Sequence, residues 1–256
     1  MWVHSRFACL TYHVIGDSGS QYAISESQLR AQLAFLRGEG YGVEGFEGLE
    51  LKLRLGQAFA PRYVVLTVDD GHESCVRVAD LLGKHGCQAS FFVTRDRSTN
   101  KPGYLREKDI RELRRRGFSL GTHGTTHRAL TFLPKEQCPA ELMESKWWLE
   151  DVIGEQVRYM AAPGGFINSR VMRSAYGCGY TLVGSCEEWM NSPSSMTLPC
   201  TVNRVNVRRH FSPTTFRHIL EGHPGFYAFR QVRALTLYIP KQILRPRSPH
   251  QSVLPS

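Results

Sequence analysis

The chain has 256 residues, of which 41% are hydrophobic and 21% are charged, and its net charge is +9. This is the composition of an ordinary globular protein with enough apolar residues for one sizeable core. No apolar run is long enough for a membrane-spanning helix, which argues against a membrane-spanning protein. Seven cysteines without Cys-x-x-Cys spacing argue against a structural zinc ribbon and predict reduced thiols.

Strand-like apolar runs alternate with stretches of helical periodicity along the chain. In chain order we predict a strand at 7–14, a helix capped by Ser25, a strand at 63–67, a helix ending near Gly86, a strand at 89–93, a helix at 106–116, a strand at 118–120, a helix at 141–152, a strand at 157–162, a helix at 169–176, and strands at 180–184 and 202–207. This alternation predicts an α/β domain with a parallel sheet, helices outside it and a barrel-like closure. Residues 240–256 are basic, proline-rich and without periodicity, so we expect a tail after one domain at 1–239.

The basic residues occur in short clusters, such as those at 114–116 and 208–209, without interleaved aromatic residues. We therefore expect a solvated basic surface and no nucleic-acid partner. An anionic substrate or a peripheral contact with a membrane is the alternative. Residues 1–14 lack the features of a signal peptide, and the expected location is cytoplasmic.

Two adjacent carboxylates, Asp69 and Asp70, follow the strand at 63–67 and precede Gly71. At the end of a buried strand their charge is costly unless a cation or hydrogen bonds offset it. His123 and His127 follow the strand at 118–120, and a spacing of four would place both on one side of a helical turn. One carboxylate with two imidazoles leaves positions on a metal ion for water and substrate, which is typical of a catalytic site.

With these residues in view, the chain resembles the polysaccharide deacetylase family, which has a NodB-homology domain. Thr-Val-Asp-Asp-Gly at 67–71 is similar to the family's Thr-Phe-Asp-Asp-Gly, and 123–127 is similar to its His-Ser/Thr-x-x-His. Residues 160–165 resemble the third motif, Arg-x-Pro-Tyr/Gly. The resemblance covers about residues 5 to 220 and implies a distorted (β/α)7-type barrel.

The resemblance implies a role for each residue of the first two motifs. Asp70, His123 and His127 would bind one divalent metal ion, with Zn²⁺ as first choice and Co²⁺, Ni²⁺ or Fe²⁺ as alternatives. Asp69 would be the general base that takes a proton from a metal-activated water. In the third motif, Pro163 and the main-chain N–H of Gly164 would contact the substrate and its oxyanion.

A Tyr-His pair ends the first strand, as in family members that begin with such a strand. His13 would then be the general acid that protonates the leaving amine, and Tyr12 would contact the substrate beside it. The alternative is that His13 is only a hydrogen-bonded residue at the end of a strand.

The chain departs from the family pattern in the third motif, where Ala161 replaces the usual arginine. An Asp-x-x-Asp-Trp motif that would pair with that arginine is also missing, and so is the usual late Leu-x-His strand. The third-motif arginine and the aspartate that pairs with it are absent together. This is consistent, because either one alone would be a buried, unpaired charge. Arg204 resembles a recurring arginine of the same subgroup, and we predict that it lies beside Asp69 instead.

With these residues, the resemblance implies a metal-dependent hydrolase that removes N-acetyl groups from a glycan, an oligosaccharide or a sugar-lipid intermediate. Two alternatives stay open. The same fold could hydrolyse another C–N bond, such as that of a cyclic amide or imide, or the chain could be a catalytically impaired carbohydrate-binding relative. The sequence does not determine the sugar or the oligomeric state.

Overall fold

The computed structural model describes residues 6–16 and 18–232, so the predicted tail at 240–256 lies outside the described residues. The strands are β1 (Ala8–Tyr12), β2 (Gly42–Glu44), β3 (Tyr63–Val68), β4 (Ser90–Val93), β5 (Ser119–Thr122), β6 (Tyr159–Ala161), β7 (Leu182–Gly184), β8 (Cys200–Val202) and β9 (Val205–Asn206). The α-helices are α1 (Glu26–Gly38), α2 (Phe46–Leu55), α3 (Cys75–Lys84), α4 (Arg95–Asn100), α5 (Glu107–Arg115), α6 (Gln137–Ile153), α7 (Ser169–Gly177) and α8 (Pro213–Leu220), and a helical segment covers 224–232. The predicted strand–helix alternation is confirmed, whereas β2, α2, α4 and α8 were not predicted.

The strands form one parallel sheet that curls into a barrel. The strand order is β8-β7-β6-β5-β4-β3-β1-β9, and β2 pairs with the first half of β3. Although β8 and β9 lie at opposite ends of this order, only residues 203–204 separate them in the chain. Three Cα steps span about 10 Å, so the two edges of the sheet come together there. The predicted barrel closure is confirmed.

The closing segment is not the single strand predicted at 202–207. Asn191 holds the backbone between the two halves, because its Nδ2 donates to the Asn203 carbonyl at 2.8 Å and its Oδ1 accepts from the Asn203 N–H at 2.9 Å. These side-chain bonds replace ladder bonds to a neighbouring strand. The chain therefore pairs with β7 before Asn203 and with β1 after Arg204.

Side chains of the strands alternate between the barrel interior and the outer helix layer. Thr11 points inward, where its hydroxyl bonds that of Thr67 at 3.0 Å. Tyr12 therefore points outward into the core beneath the helices, where it is 1% exposed and donates to Gln32 Oε1 at 2.9 Å. The prediction that Tyr12 contacts the substrate is wrong for this reason.

Helix α2 closes the end of the barrel at which the strands begin. Phe46 packs edge-on against Phe92, with ring centroids 5.2 Å apart, and its N–H donates to Ser90, the first residue of β4. Glu50 reaches the first residue of β6 through a 2.7 Å bond from the Tyr159 hydroxyl. With this end filled, the open end is the one at which the strands finish.

All seven cysteines lie in the described ranges, and each is a free thiol. Along the described chain, no helix combines the length and the apolar character needed to cross a membrane.

Candidate active site

Asp69 and Asp70 leave β3 at the open end of the barrel, and the two carboxylates differ in exposure. Asp69 is 2% exposed, whereas the side chain of Asp70 is 23% exposed. Asp70 has φ of 77°, a left-handed conformation that is rare for a residue other than glycine. This backbone turn directs the second carboxylate to the histidines while the first stays inside the barrel.

Arg204 forms a buried, two-bonded ion pair with Asp69, as predicted from the sequence. Its two terminal nitrogens lie 2.7 and 2.9 Å from the two carboxylate oxygens, and Arg204 is fully buried. The guanidinium lies over the Phe92 ring, and its Nε donates to the Ser185 carbonyl at 3.0 Å. Burial raises the pKa of Asp69, but the charge of Arg204 and its hydrogen bonds outweigh this, so the pKa lies below its usual value.

A glycine in β7 leaves the space that Arg204 occupies. A Cβ added at Gly184 would lie 2.6 Å from the Arg204 Nε and 2.9 Å from its Cζ. Because Arg204 is fixed by both oxygens of Asp69, it could not move aside for a larger residue.

His123 and His127 come together through a loop rather than the predicted helical turn. The loop reverses at Gly124, with φ of 75°, and again at His127, with φ of 66°. The two imidazole rings are 5.0 Å apart. His127 Nε2 lies 2.9 Å from Asp70 Oδ1, and His123 Nε2 lies 3.5 Å from the same oxygen.

Glu141 on α6 holds this loop, and sequence reasoning missed it. Glu141 is 8% exposed, and its carboxylate accepts from the N–H and the hydroxyl of Thr126 at 2.6 and 2.9 Å. Its carbonyl accepts from the Thr125 hydroxyl at 2.9 Å. In the sequence, Glu141 is one acidic residue near the start of a helix, so nothing distinguishes it from a solvated one.

Asp70, His123 and His127 fit a divalent cation by chemistry and by position. Their ligand atoms all lie within 4.8 Å of one another. His123 donates its Nδ1–H to the Ala161 carbonyl at 2.8 Å, which leaves Nε2 as the lone-pair nitrogen facing the carboxylate. Burial lowers the pKa of His123 to about 4, so the ring is neutral at pH 7 and able to act as a ligand.

Asp70 is also held in its ionised form, which is the form that binds a cation. Burial raises its pKa, but the hydrogen bond from His127 and the cationic groups around it lower the pKa well below its usual range. One of these groups is Arg97 on α4, whose Nη1 lies 2.8 Å from Asp70 Oδ1. The Arg97 guanidinium stacks over Tyr104 at 5.3 Å. Sequence reasoning missed Arg97, because α4 is short and has no regular apolar pattern.

His13 lies on the interior side of the same site. Its Nδ1 is buried and forms no hydrogen bond with the described residues, and its ring is 5.1 Å from that of Tyr22. Burial lowers the pKa of His13, whereas the charges of Asp69 and Asp70 oppose that shift. An imidazole without a fixed partner is available for proton transfer.

The third motif forms a tight turn next to the histidine loop. Pro163 is buried, and its Cγ would be 3.3 Å from a Cβ placed at Gly124. Gly164 is exposed with φ of 68°, and the turn is closed by the Gly165 N–H donating to the Ala162 carbonyl at 2.8 Å. The structure thus brings together every predicted site residue except Tyr12.

A family model described as polysaccharide deacetylase matches residues 56–183, which is half of the chain. The chain belongs to the polysaccharide deacetylase family. The matched segment contains Asp69, Asp70 and both histidines of the site. The predicted family, fold and enzyme class are therefore confirmed.

Similar proteins extend the likeness beyond the matched segment. The Bacillus subtilis protein YxkH is 25% identical over 219 residues, which is 85% of this chain and 77% of its own length. A peptidoglycan-N-acetylglucosamine deacetylase of Bacillus cereus is 26% identical over 147 residues, 57% of this chain and 65% of its own. The structure of the Streptococcus pyogenes deacetylase PplD superposes with a TM-score of 0.78 at 21% identity, covering 86% of this chain and all of PplD. At that identity, the superposition shows the fold alone.

Proposed function

We propose that this polysaccharide deacetylase family member hydrolyses the N-acetyl amide of an acetamido sugar in a glycan, an oligosaccharide or a sugar-lipid intermediate. The observation that carries the proposal is the grouping of Asp70, His123 and His127 beside the Asp69–Arg204 pair. The name of the Bacillus cereus relative, a peptidoglycan-N-acetylglucosamine deacetylase, supports an N-acetylglucosamine unit as the reacting sugar. The cytoplasmic location stays a prediction.

In this proposal, Asp70, His123 and His127 hold one divalent cation, with Zn²⁺ the first choice. The cation would supply Lewis acidity toward the acetyl carbonyl and the attacking water. The Asp69 carboxylate takes a proton from that water, and Arg204 keeps the carboxylate ionised and correctly oriented. The exposed turn at Gly164 offers its N–H to the developing oxyanion.

The last proton transfer in the proposed reaction belongs to His13. Cleavage of the C–N bond needs a proton on the leaving amine, because an amide anion is a poor leaving group. The Nδ1 of His13 is buried without a hydrogen bond to the described residues, and the imidazole interacts electrostatically with both Asp69 and Asp70, which supports it as the proton donor.

The test is acetate release from a panel of N-acetylated sugars, with and without a chelator, in the wild type and in Asp69→Asn. We expect chelator-sensitive release that falls by about 10²–10⁴-fold in the variant. Asp80→Asn, a change to an exposed carboxylate on α3, is the matched control and should retain full activity. Wild-type protein that holds metal but releases no acetate from any sugar would contradict the proposal.

A second variant keeps this test valid if Asp69→Asn does not fold. That substitution leaves the buried Arg204 without its anion, which is destabilising. Asp69→Asn/Arg204→Met removes both charges together, and we expect it to fold, to bind metal and to release no acetate.

A further inference from the structure

Two exposed phenylalanine rings lie against each other beside the site. Phe132 is 62% exposed and Phe166 is 37% exposed, and their centroids are 6.2 Å apart with the ring planes at 47°. Exposed apolar side chains that cluster in this way often mark a surface that binds a ligand. Neither ring has a role in the chemistry proposed above.

The pair connects the two loops that carry site residues. Phe166 directly follows the turn at Pro163–Gly165, and a Cβ added at Gly164 would lie 3.2 Å from the Phe166 ring. Phe132 ends the short 3₁₀ turn Leu130–Phe132, which follows His127. The rings therefore lie next to the group proposed to bind the oxyanion, on the side of the histidine loop.

Arg170 fixes the turn that presents Phe132. Its Nη2 donates to the carbonyls of Leu130 and Thr131, at 3.1 and 3.2 Å. Arg170 itself lies in the first turn of α7, which is capped by Asn168 through a 2.9 Å bond to the Val171 N–H. The backbone that carries Phe132 is therefore held by hydrogen bonds within the protein, which lowers the entropic cost of binding there.

We propose that Phe132 and Phe166 form a subsite for the pyranose ring next to the acetamido sugar. The inference rests on the proposed function and deepens it, because it requires a substrate with at least two linked sugars. A pyranose ring presents an apolar C–H face that can pack on an aromatic ring, and its hydroxyls at the rim stay in water. Phe132 and Phe166 supply two such aromatic rings, with centroids 6.2 Å apart.

The size and shape of the surface favour a sugar over other occupants. A stable protein interface buries about 800 Å² on each partner, far more than two phenylalanine side chains provide. An acyl chain is best bound in an enclosed apolar cleft. The two rings are instead partly exposed, by 62% at Phe132 and 37% at Phe166.

The experiment compares wild type, Phe132→Ala/Phe166→Ala and Trp147→Ala. Trp147 on α6 is 60% exposed and is the matched control for loss of a surface aromatic residue. The probes are N-acetylglucosamine and its β-1,4- and β-1,6-linked tetramers, assayed by acetate release and by calorimetric binding to metal-loaded protein. We expect the double variant to raise the KM of the preferred tetramer about tenfold with kcat changed less than about twofold. The monosaccharide and Trp147→Ala should show no change.

The binding arm separates this inference from the proposed function. If wild type releases no acetate but binds a tetramer with an affinity that the double variant loses, deacetylation fails and the subsite stands. Equal tetramer affinity in both proteins, or binding by neither, overturns the subsite. A dodecyl glycoside whose binding depends on the two rings while tetramer binding does not would assign the surface to an acyl chain. A change of oligomeric state in the double variant without a change in KM would assign it to a contact between copies of this chain.

Discussion

Among single residues, the pair formed by Asp69 and Arg204 determines how the proposed base is held. A guanidinium matches both oxygens of a carboxylate at once, which the single ammonium of lysine cannot do. Both groups are almost fully buried, so each depends on the other for its charge. Arg204 lies in the segment that closes the barrel. Its contact with Asp69 therefore belongs both to the barrel closure and to the proposed site.

This coupling predicts a strongly non-additive pair of substitutions. Arg204→Met and Asp69→Asn should each lower the free energy of unfolding by about 3–5 kcal/mol, because each leaves one buried charge unpaired. The double variant should lose much less than the sum, as measured by denaturant unfolding in a double-mutant cycle. Additive losses would show that the two residues do not stabilise each other.

At the level of secondary structure elements, β7 and α2 fix the interior of the barrel from two directions. β7 contributes Gly184, whose missing side chain makes room for Arg204. α2 fills the opposite end with Phe46 and places the carboxylate of Glu50 against Tyr159. The small size of Gly184 is thus required by the neighbouring Arg204, and the carboxylate of Glu50 is stabilised by the hydroxyl of Tyr159.

Gly184→Ala should destabilise the protein through overpacking. The added Cβ would lie 2.6 Å from a guanidinium that cannot move without breaking its pair with Asp69. We expect a loss of about 1–3 kcal/mol in the free energy of unfolding, together with reduced acetate release. Gly38→Ala at the end of α1, where a Cβ would meet nothing within 4 Å, is the control and should be neutral or slightly stabilising. Equal effects of the two substitutions would contradict the packing argument.

Glu50 should make stability depend on pH in the acidic range. Burial raises its pKa, but hydrogen bonds from Tyr159 and Arg54 and the charge of Arg158 outweigh this and lower it. A lowered folded pKa means that the stabilisation is complete above the unfolded pKa, about 4.3, and is lost as the pH falls toward the folded value.

The substitution Glu50→Gln tests whether this carboxylate makes stability depend on pH. It should cost about 1.5–3 kcal/mol at pH 7, with the difference from wild type shrinking below about pH 4. Glu47→Gln, an exposed carboxylate of the same helix, should cost less than about 1 kcal/mol. The measurement is denaturant unfolding at a series of pH values, and a pH-independent difference for Glu50→Gln would contradict the assignment.

Across the whole molecule, a buried charge cluster attaches the last described helix to the barrel. Glu188 accepts from Arg208, just after β9, at 3.0 Å and also from Arg230 in the helical segment 224–232. The Tyr227 hydroxyl adds a 2.9 Å bond to the Ile219 carbonyl of α8. The end of the described chain is therefore held by charge as well as by apolar packing.

Glu188→Gln should loosen this helix more than the rest of the fold. It leaves two buried guanidinium groups without their shared carboxylate, and we expect a loss of about 3–5 kcal/mol. Hydrogen exchange should accelerate over residues 224–232 and stay slow in β3. Glu187→Gln, its exposed neighbour, is the control and should exchange like wild type. Unchanged exchange at 224–232 in Glu188→Gln would show that the cluster does not hold the helix.

The sequence predicted the barrel because hydrophobic periodicity and strand–helix alternation are local properties of the chain. It also predicted Asp69, Asp70, His123 and His127 as a group, because each pair lies directly after an apolar strand and parallel strands end at one edge. The elements that it missed have weak local signals. β2 is short, and α2 faces the barrel interior with aromatic and acidic residues that do not form a regular apolar face.

By itself, the sequence predicted the residues of the proposed site and that parallel strands bring them to one end of a barrel. Only the tertiary structure decided how they are held. The splitting of the last strand at Asn203 sends Arg204 inward to Asp69, and Glu141 fixes a loop that does not follow helical geometry. Strand alternation also turns Tyr12 away from the site. The resemblance to the family implied the Arg204–Asp69 pair, but the split strand, the held loop and the orientation of Tyr12 depend on contacts between residues distant in the chain, and no local pattern encodes such contacts.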